Sequence, residues 1–239
     1  MSSASTAVIN RRRAAGRRAA EIWLVDAAPA HTVRARLRGA SHQLLRQALG
    51  QAAGCRPENI ALDHDGGGRP FVSSPPAAVS QRISLSRTDG VMAAALCHGA
   101  DIGIDIEHLR YDPCRLDYVL QTFGPVERQA VGRARDRGHR IIEIWTLREA
   151  IGKALGLGLD IDHEGGRMDA SDLHSSRTPG GLIRAIAGRT WWLSLLAPRP
   201  DLRLAVAVKG TRPPGGVRLR WLGDAGGDPE TEKEPCHGW

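Results

Sequence analysis

The sequence predicts an α+β protein built from two similar halves, each a long helix packed on a small antiparallel sheet. Two segments, Val33–Gly50 and Ile141–Leu155, carry apolar residues at helical spacing. Each helix is followed by two short apolar runs typical of a strand pair. No repeat is visible in the sequence itself, so the prediction depends on the order of the elements. We expect the halves to pack face to face, with a cleft between them.

Four parts are predicted along the 239 residues: a mobile basic leader at 1–19, an N-terminal half at 20–108, a C-terminal half at 109–210 and a disordered tail at 211–239. The tail is assigned from its richness in Gly, Pro and acidic residues. The remaining predicted strands lie at 21–26, 82–87, 91–97, 190–196 and 201–208. Residues 109–140 are predicted to be helical with a break at Gly124-Pro125, and the basic run Arg133–Arg140 is interpreted as a solvated face.

Composition narrows the class of protein. Hydrophobic residues make up 41% of the chain, enough for a substantial core. The net charge of +7 has two explanations. It indicates an anionic partner, which would be nucleic acid, a membrane surface, a phosphorylated cofactor or an acidic protein, or it reflects only the arginine-rich composition that GC-rich coding produces. The four cysteines have no C-x-x-C spacing and are read as free thiols. No apolar run approaches the ~20 residues of a membrane helix, and we expect a cytoplasmic protein.

The first informative stretch is the predicted strand at residues 100–107. Its isoleucines alternate with Gly103, Asp105 and Glu107, so these three residues share the opposite face. Two carboxylates therefore stand side by side above an apolar floor. Like charges this close repel unless a cation lies between them.

The second informative stretch lies on the second predicted helix. Trp145, Glu149 and Lys153 are spaced four apart and form one stripe along it. A third carboxylate and a lysine thus lie on one helix face. Three carboxylates and a lysine suit a hard dication and a phosphate-bearing substrate.

Each pattern also has an ordinary structural explanation. Asp105 and Glu107 would also fit an exposed strand face, and Glu149 with Lys153 a surface ion pair worth only ~0.3–0.5 kcal/mol. The loop at 63–70, in which three glycines precede Arg69, is either a plain hairpin turn or a backbone cradle for a ligand. The joint occurrence of the patterns favours a functional site.

The two stretches together resemble the Sfp-type 4'-phosphopantetheinyl transferases. That family pairs a G-[IV]-D-[IV]-E strand with a W-[ST]-x-K-E-[AS]-x-x-K helix, matched here by Gly103–Glu107 and Trp145–Lys153. The separation from Asp105 to Glu149 also fits the family. Weaker matches are Gly68-Arg69-Pro70, Ser84-Leu85-Ser86-Arg87, and Phe123 with Glu127. The likeness covers roughly residues 20–210.

The resemblance implies that family's fold, two halves with pseudo-twofold symmetry in a monomer. It also implies transfer of 4'-phosphopantetheine from coenzyme A to a serine of an apo acyl, peptidyl or polyketide carrier protein, with Mg²⁺ as cofactor and 3',5'-ADP as leaving group. The metal ligands that the resemblance implies are Asp105, Glu107 and Glu149. The implied catalytic residues are Glu149, as general base, and Lys153. The residues implied to bind the phosphates of coenzyme A are Arg34, Arg38, Arg69, Ser86, Arg87 and Lys153.

Two residues depart from the family pattern, and two rival functions follow from the sequence. Arg87 stands where the family usually has histidine, and Arg148 where it usually has lysine. Arginine still binds phosphate but does not act as a base, so a relative that binds coenzyme A without turnover is one rival. The other is a nucleic-acid-binding protein that uses the basic leader and Arg133–Arg140. Aromatic residues make up only 4% of the chain, which leaves few stacking platforms for bases and argues against nucleic acid.

Overall fold

The structure is a computed structural model that describes residues 6–7, 19–27, 34–110, 112–156, 181–186, 188–210 and 216–222, without the side chains of residues 6–7 and 34–38. The strands are β1 (Thr6–Ala7), β2 (Ala20–Asp26), β3 (Ala61–His64), β4 (Pro70–Ser74), β5 (Gln81–Thr88), β6 (Val91–His98), β7 (Ile102–His108), β8 (Leu182–Ile186), β9 (Arg189–Leu196), β10 (Leu202–Lys209) and β11 (Val217–Leu222). The helices are α1 (Arg34–Ala53), α2 (Pro76–Val79), α3 (Pro113–Gln121), α4 (Pro125–Arg133) and α5 (Arg137–Leu155), with a short 3-10 helix at Pro57–Asn59.

The first sheet has the strand order β1-β11-β2-β6-β5, and its pairs are antiparallel except that of β11 with β2. The long helix α1 covers the outer face of this sheet. Leu45 and Leu49, one helical turn apart, are fully buried in one cluster with Trp23 of β2 and Leu96 of β6. This packing forms the first helix-on-sheet unit.

The second sheet has the order β7-β10-β9-β8 and is antiparallel throughout. The helix α5 covers its outer face, where Leu147 and Ile151 pack with Trp191 and Leu193 of β9. Each unit follows the order strand, long helix, hairpin, and its first strand pairs with the last strand of the hairpin: β2 with β6, and β7 with β10.

The inner faces of the two sheets share one core. Ile22 of β2, Ile104 of β7 and Val206 of β10 are completely buried in the same cluster. Because strand side chains alternate, each sheet offers one face to this core and the other to its helix. The layers therefore run α1, first sheet, second sheet, α5. This agrees with the predicted α+β class and face-to-face packing, while the pseudo-twofold axis stays a prediction.

Parts of the predicted domain division were wrong. Residues Val217–Leu222, assigned to the disordered tail, form β11, and Val217 and Leu219 reach the shared inner core. The polar composition of the tail hid this short apolar alternation. Residues Thr6–Ala7 of the leader form β1 beside it. The boundary expected after residue 108 does not separate the sheets, because β7 pairs with β10. The rest of the leader except residue 19, and residues 211–215 and 223–239 of the tail, lie outside the described residues.

The helix α5 begins four residues earlier than predicted. The Asp136 side chain accepts the N–H of His139 at 2.9 Å and caps its first turn. Gly156, in the left-handed region at φ 78°, ends the helix, whose last residue is Leu155 as predicted. The interpretation of Arg133–Arg140 as a solvated face was wrong for Arg140, which is buried and bonds Glu143 at 2.9 Å. Among the described residues there is no helix with the length and apolar character to span a membrane.

A buried ion pair ties α5 to α4. The Arg148 guanidinium lies 3.1 Å from Oε2 of Glu127 and donates to the Thr122 carbonyl at 2.9 Å. The same Glu127 oxygen accepts the N–H of Gly124 at the start of α4, at 2.9 Å. Both charged side chains are more than nine-tenths buried, with exposures of 9% and 4%. Arg148, which departs from the family pattern, therefore has a structural partner.

Replacing Arg148 by methionine should lower the free energy of unfolding by about 3–5 kcal/mol, because it leaves Glu127 buried without its counter-charge. The matched control is Arg218→Met, which removes an arginine that is 45% exposed and pairs with Glu21. That change should cost less than about 1 kcal/mol. Urea unfolding followed by circular dichroism measures both, and equal small losses would contradict the structural role of Arg148.

Candidate active site

The strand β7 and the helix α5 are in direct contact at Gly103. A methyl group added at Gly103 would collide with the carbonyl oxygen of Ala150 and the amide nitrogen of Ala154. Glycine is thus required for the close approach of helix to strand. The same strand face carries Asp105 and Glu107, as predicted from the alternation, so the approach brings both carboxylates to the helix.

The predicted stripe on α5 is the part of the helix that remains open. From Arg140 to Ala154, every residue is buried except Trp145, Glu149 and Lys153, which are partly exposed. The helix is enclosed by the second sheet on one side and by α3 and α4 on another. The stripe is therefore the face of α5 from which Glu149 and Lys153 can reach a ligand.

Lys153, Asp105 and Ser86 form the centre of the site. The Lys153 ammonium lies 2.7 Å from Oδ1 of Asp105 and donates to the Ser86 hydroxyl at 3.1 Å. Ser86 in turn donates to the same Asp105 oxygen at 2.7 Å. The other Asp105 oxygen, Oδ2, is buried and has no hydrogen-bond partner in the part of the chain that the structure describes. A buried carboxylate oxygen without a partner is costly and is suited to a cation.

Glu107 lies at the outer end of the strand in a mixed environment. Burial raises the pKa of its carboxyl from 4.5 to about 7, and the nearby Asp105 charge adds to the rise. The Arg115 guanidinium at 3.4 Å, a hydrogen bond from the Trp145 indole and the Lys153 charge act against it. The Thr88 hydroxyl also donates to this carboxylate at 3.4 Å.

Glu149 is the third carboxylate. Its pKa is raised, first by burial and then by the Asp105 charge, while Lys153 and Arg148 oppose the rise. The effect of the Asp105 charge on Glu149 indicates that the helix and the strand bring these carboxylates within electrostatic reach of each other. A raised pKa makes Glu149 a stronger proton acceptor than an exposed glutamate.

A cavity of about 300 Å³ opens beside these residues. It is lined by residues of α1, β5, β7 and α5: Ser41, His42, Leu85, Ser86, Arg87, Asp105 and Lys153. Both halves of the protein thus contribute to one cavity. A larger groove of about 410 Å³ lies between α4 and α5, but it contains none of the predicted site residues.

Arg69 lies apart from that cavity. Its guanidinium is 3.4 Å from the carbonyl oxygens of Ala154, in the last turn of α5, and of Ile102, at the start of β7. The loop before it is a hairpin turn between β3 and β4, in which Asp65 accepts the N–H groups of Gly67 and Arg69. The loop therefore positions Arg69 to join the last turn of α5 to the start of β7.

Of the other arginines predicted to bind phosphate, the structure describes the side chain of Arg87 but not those of Arg34 and Arg38. Arg87 is exposed at the cavity, where a phosphate can reach it. Arg34 and Arg38 fall in the first turns of α1, and their side chains lie outside the described residues. Their contact with the 3'-phosphate of coenzyme A therefore stays a prediction.

Sequence reasoning missed three side chains at the site: His42, which lines the cavity, and Arg115 and Thr88, which bond Glu107. It placed Trp145 on the stripe of α5 but not its hydrogen bond to Glu107. The sequence carried a signal for Thr88, since hydroxyl residues recur at every second position, 84, 86 and 88, although the predicted strand ends at residue 87. Nothing in the sequence indicated that Arg115 of α3 would reach Glu107.

The residues present fit Mg²⁺. Carboxylate oxygens are its preferred protein ligands, and the partnerless Oδ2 of Asp105 is such an oxygen with no competing hydrogen bond. Within the described ranges, no three acidic, histidine or cysteine side chains are already arranged as a complete metal site. The Lys153 ammonium bonds Oδ1 of Asp105, and its positive charge also acts on Glu107 and Glu149. Asp105, Glu107 and Glu149 would hold the ion.

Comparison with known proteins agrees with this geometry. Residues 101–207, which include both motifs, match the family model of the 4'-phosphopantetheinyl transferase superfamily. The chain is 26% identical over 173 residues to the 4'-phosphopantetheinyl transferase HetI of Nostoc sp., covering 72% of this chain and 70% of that protein. It is 31% identical over 148 residues to the L-aminoadipate-semialdehyde dehydrogenase-phosphopantetheinyl transferase of Eremothecium gossypii, covering 57% of this chain and 52% of the relative.

The match to the Eremothecium protein thus spans about half of that relative, whereas the match to HetI spans most of it. The region matched by the family model contains Asp105 and Lys153, which line the cavity, and Glu107 and Glu149, whose pKa values the Asp105 charge raises. Over residues 101–207 the chain is thus similar to the 4'-phosphopantetheinyl transferase superfamily, and both named relatives are phosphopantetheinyl transferases.

Proposed function

We propose that this protein transfers 4'-phosphopantetheine from coenzyme A to a serine of an apo acyl, peptidyl or polyketide carrier protein, in a Mg²⁺-dependent reaction. The bond formed joins the serine oxygen to the phosphorus that bears the pantetheine arm. The bond broken joins that phosphorus to the bridging oxygen, which leaves with 3',5'-ADP. The observation that carries the proposal is the convergence of Asp105, Glu107, Glu149 and Lys153 beside a cavity, in a chain that is similar to this superfamily over residues 101–207.

The cations of the cavity suit the polyanionic donor. Lys153 and Arg87 line it from opposite halves and would bind phosphate oxygens of coenzyme A. Ser86 already donates to Asp105 and accepts from Lys153, so it orients both groups. Phosphoryl transfer depends mainly on positioning and on charge neutralisation, which is what these groups provide.

Three carboxylates would hold Mg²⁺ at the same place. Asp105 offers the buried oxygen that lacks a hydrogen bond, while Glu107 and Glu149 have pKa values raised by burial and by the Asp105 charge. When bound, Mg²⁺ supplies positive charge to the pyrophosphate and stabilises the leaving group. Lys153 would then be available to bind the phosphate that is transferred.

Glu149 is the strongest candidate for the general base. A serine hydroxyl is a poor nucleophile near neutral pH, so its proton has to move to an acceptor as the new bond forms. Glu149 is partly exposed on the open stripe of α5, where an incoming serine can approach it. Arginine does not act as a base, so Arg87 does not take this role.

The main test is transfer itself. Incubated with Mg²⁺, coenzyme A and a panel of apo carrier proteins, the protein should add one phosphopantetheine to a carrier serine, measured as a mass increase. Glu149→Gln keeps the shape of the side chain without its charge. It should bind coenzyme A but transfer at least ~10²-fold more slowly, the usual scale for a lost general base.

The outcomes of this experiment separate the alternatives. If no carrier in a broad panel gains mass and the protein still binds coenzyme A, it is a non-catalytic relative. If it does not bind coenzyme A and is retained on DNA in a salt-dependent way, the proposed function fails and the basic surface binds nucleic acid.

The metal site has its own test. Asp105→Ala should abolish transfer and remove the dependence of coenzyme A binding on Mg²⁺, because it removes the buried oxygen that has no other partner. Calorimetric titration of coenzyme A with and without Mg²⁺ reads the binding directly. Asp105→Asn controls for the unpaired Lys153, since its amide oxygen still accepts from the ammonium. Near-normal turnover by a folded Asp105→Ala protein would exclude the assignment.

Arg87 is tested by substitution in two directions. Arg87→His restores the residue usual in the family and should keep substantial activity, while Arg87→Ala should mainly raise the KM for coenzyme A. The reason is that Arg87 is exposed at the cavity and would act through phosphate binding. Steady-state kinetics at varied coenzyme A measures both constants. A large fall in kcat with KM unchanged would show that Arg87 acts on the transition state instead.

A further inference from the structure

Three hydroxyl side chains of β5 face β7 and form a row: Ser84, Ser86 and Thr88. They occupy alternate positions of the strand and therefore share one face. The Ser84 hydroxyl accepts the backbone N–H of Ile104 at 3.1 Å, and the Ser86 hydroxyl accepts that of Ile106 at 3.2 Å. Thr88 continues the row by donating to the Glu107 carboxylate at 3.4 Å.

This row joins strands that belong to different sheets. β5 is the last strand of the first sheet, and β7 is an edge strand of the second. The two bonds advance by two residues on each strand in the same direction, so the strands run parallel at this seam. Serine hydroxyls occupy the place of the carbonyl acceptors that a backbone ladder would supply.

The seam is closed to water. Ser84 is 6% exposed and Ser86 is 8% exposed, and Ile104 and Ile106 are completely buried. A buried backbone N–H requires an acceptor. Without the two serine hydroxyls, β7 would lose the hydrogen bonds that fix its register relative to β5.

The two seam bonds lie on either side of Asp105. Ile104 and Ile106 are its chain neighbours, and their N–H groups belong to the Gly103–Ile104 and Asp105–Ile106 peptide units, so the bonds hold the backbone before and after the carboxylate. Ser86 also contacts Asp105 and Lys153 directly and belongs to the site already described. Ser84 lies one pair further along the seam and bonds a backbone amide rather than a charged group.

We propose that Ser84 is a positioning residue, whose hydroxyl, by accepting the Ile104 amide, sets Asp105 against Ser86 and Lys153. The role rests on the proposed function, because the geometry it maintains is that of the metal and phosphate site. It matters for rate because a displacement of about 1 Å at a reacting centre can cost ~10²-fold.

The kinetic test compares three variants. Ser84→Ala removes the acceptor, Ser84→Thr keeps it on a side chain suited to strands, and Ser194→Ala removes a fully buried serine of β9 away from the seam. Ser84→Ala should lower kcat at least about tenfold, with the KM for coenzyme A within about twofold, because the strand that carries Asp105 is displaced. Ser84→Thr should be close to wild type, and Ser194→Ala should keep the wild-type kcat.

A second readout does not depend on turnover. Amide hydrogen exchange of Ile104 should become at least about tenfold faster in Ser84→Ala than in wild type and Ser194→Ala, and Ser84→Thr should restore its protection. The affinity for Mg²⁺ in the presence of coenzyme A, measured by calorimetry, should fall in Ser84→Ala and not in Ser194→Ala. Should Ser84→Ala fail to fold, Ser84→Cys fills the same space with a weaker acceptor and is expected to show the same changes.

Two results would overturn the role of Ser84. One is an unchanged exchange rate of the Ile104 amide in Ser84→Ala, which would show that the Ser84 hydroxyl does not protect this amide. The other is a set of kinetic and Mg²⁺-binding changes equal to those of Ser194→Ala, which would make Ser84 an ordinary core serine. If the wild-type protein modifies no carrier, only the proposed function fails. Amide hydrogen exchange of Ile104 and the affinity for Mg²⁺ then still decide whether Ser84 positions the site.

Discussion

The contact of α5 with β7 at Gly103 is the constraint on which the site depends. Because no side chain separates the helix backbone from the strand, Glu149 and Lys153 lie within electrostatic reach of Asp105. Between Arg140 and Ala154, one stripe of α5 stays partly exposed and the other residues are buried. The position of the site and the stability of the second half therefore come from one packing interface.

Close approach brings three carboxylates together, and like charges in a partly buried site repel. The protein opposes this repulsion with fixed cations. Lys153 lies between the strand and the helix at 2.7 Å from Asp105, and Arg115 reaches Glu107 from α3 at 3.4 Å. These cations do not return the pKa of Glu107 to its usual value, because burial, and after it the Asp105 charge, keep it raised to about 7. A bound dication would offset both effects by favouring the ionised carboxylates, which supports the proposed use of Mg²⁺.

The arginines near the candidate site are of two kinds: those bonded to protein groups and one that is exposed at the cavity. Arg148 and Arg69 are bound to protein groups, Arg148 to Glu127 and Thr122 and Arg69 to the carbonyl oxygens of Ala154 and Ile102. Their charges hold α5 in place from its middle and from its end. Arg87, in contrast, is exposed at the cavity between the halves. The position of each guanidinium, and not the net charge of the chain, indicates which arginine is available to a phosphorylated ligand.

The sequence by itself determined the local pattern of this protein. Alternation placed Gly103, Asp105 and Glu107 on one strand face, and helical spacing placed Trp145, Glu149 and Lys153 on one stripe, because both periods are properties of the backbone. The order of elements likewise predicted two helix-on-sheet units. Only the tertiary structure decided which faces meet: that the hydroxyl row of β5 bonds β7, that Arg115 reaches Glu107, and that β11, from a segment that reads as a tail, completes the first sheet. Such contacts join residues far apart in the chain, and they are set by how whole layers pack, which no local period records.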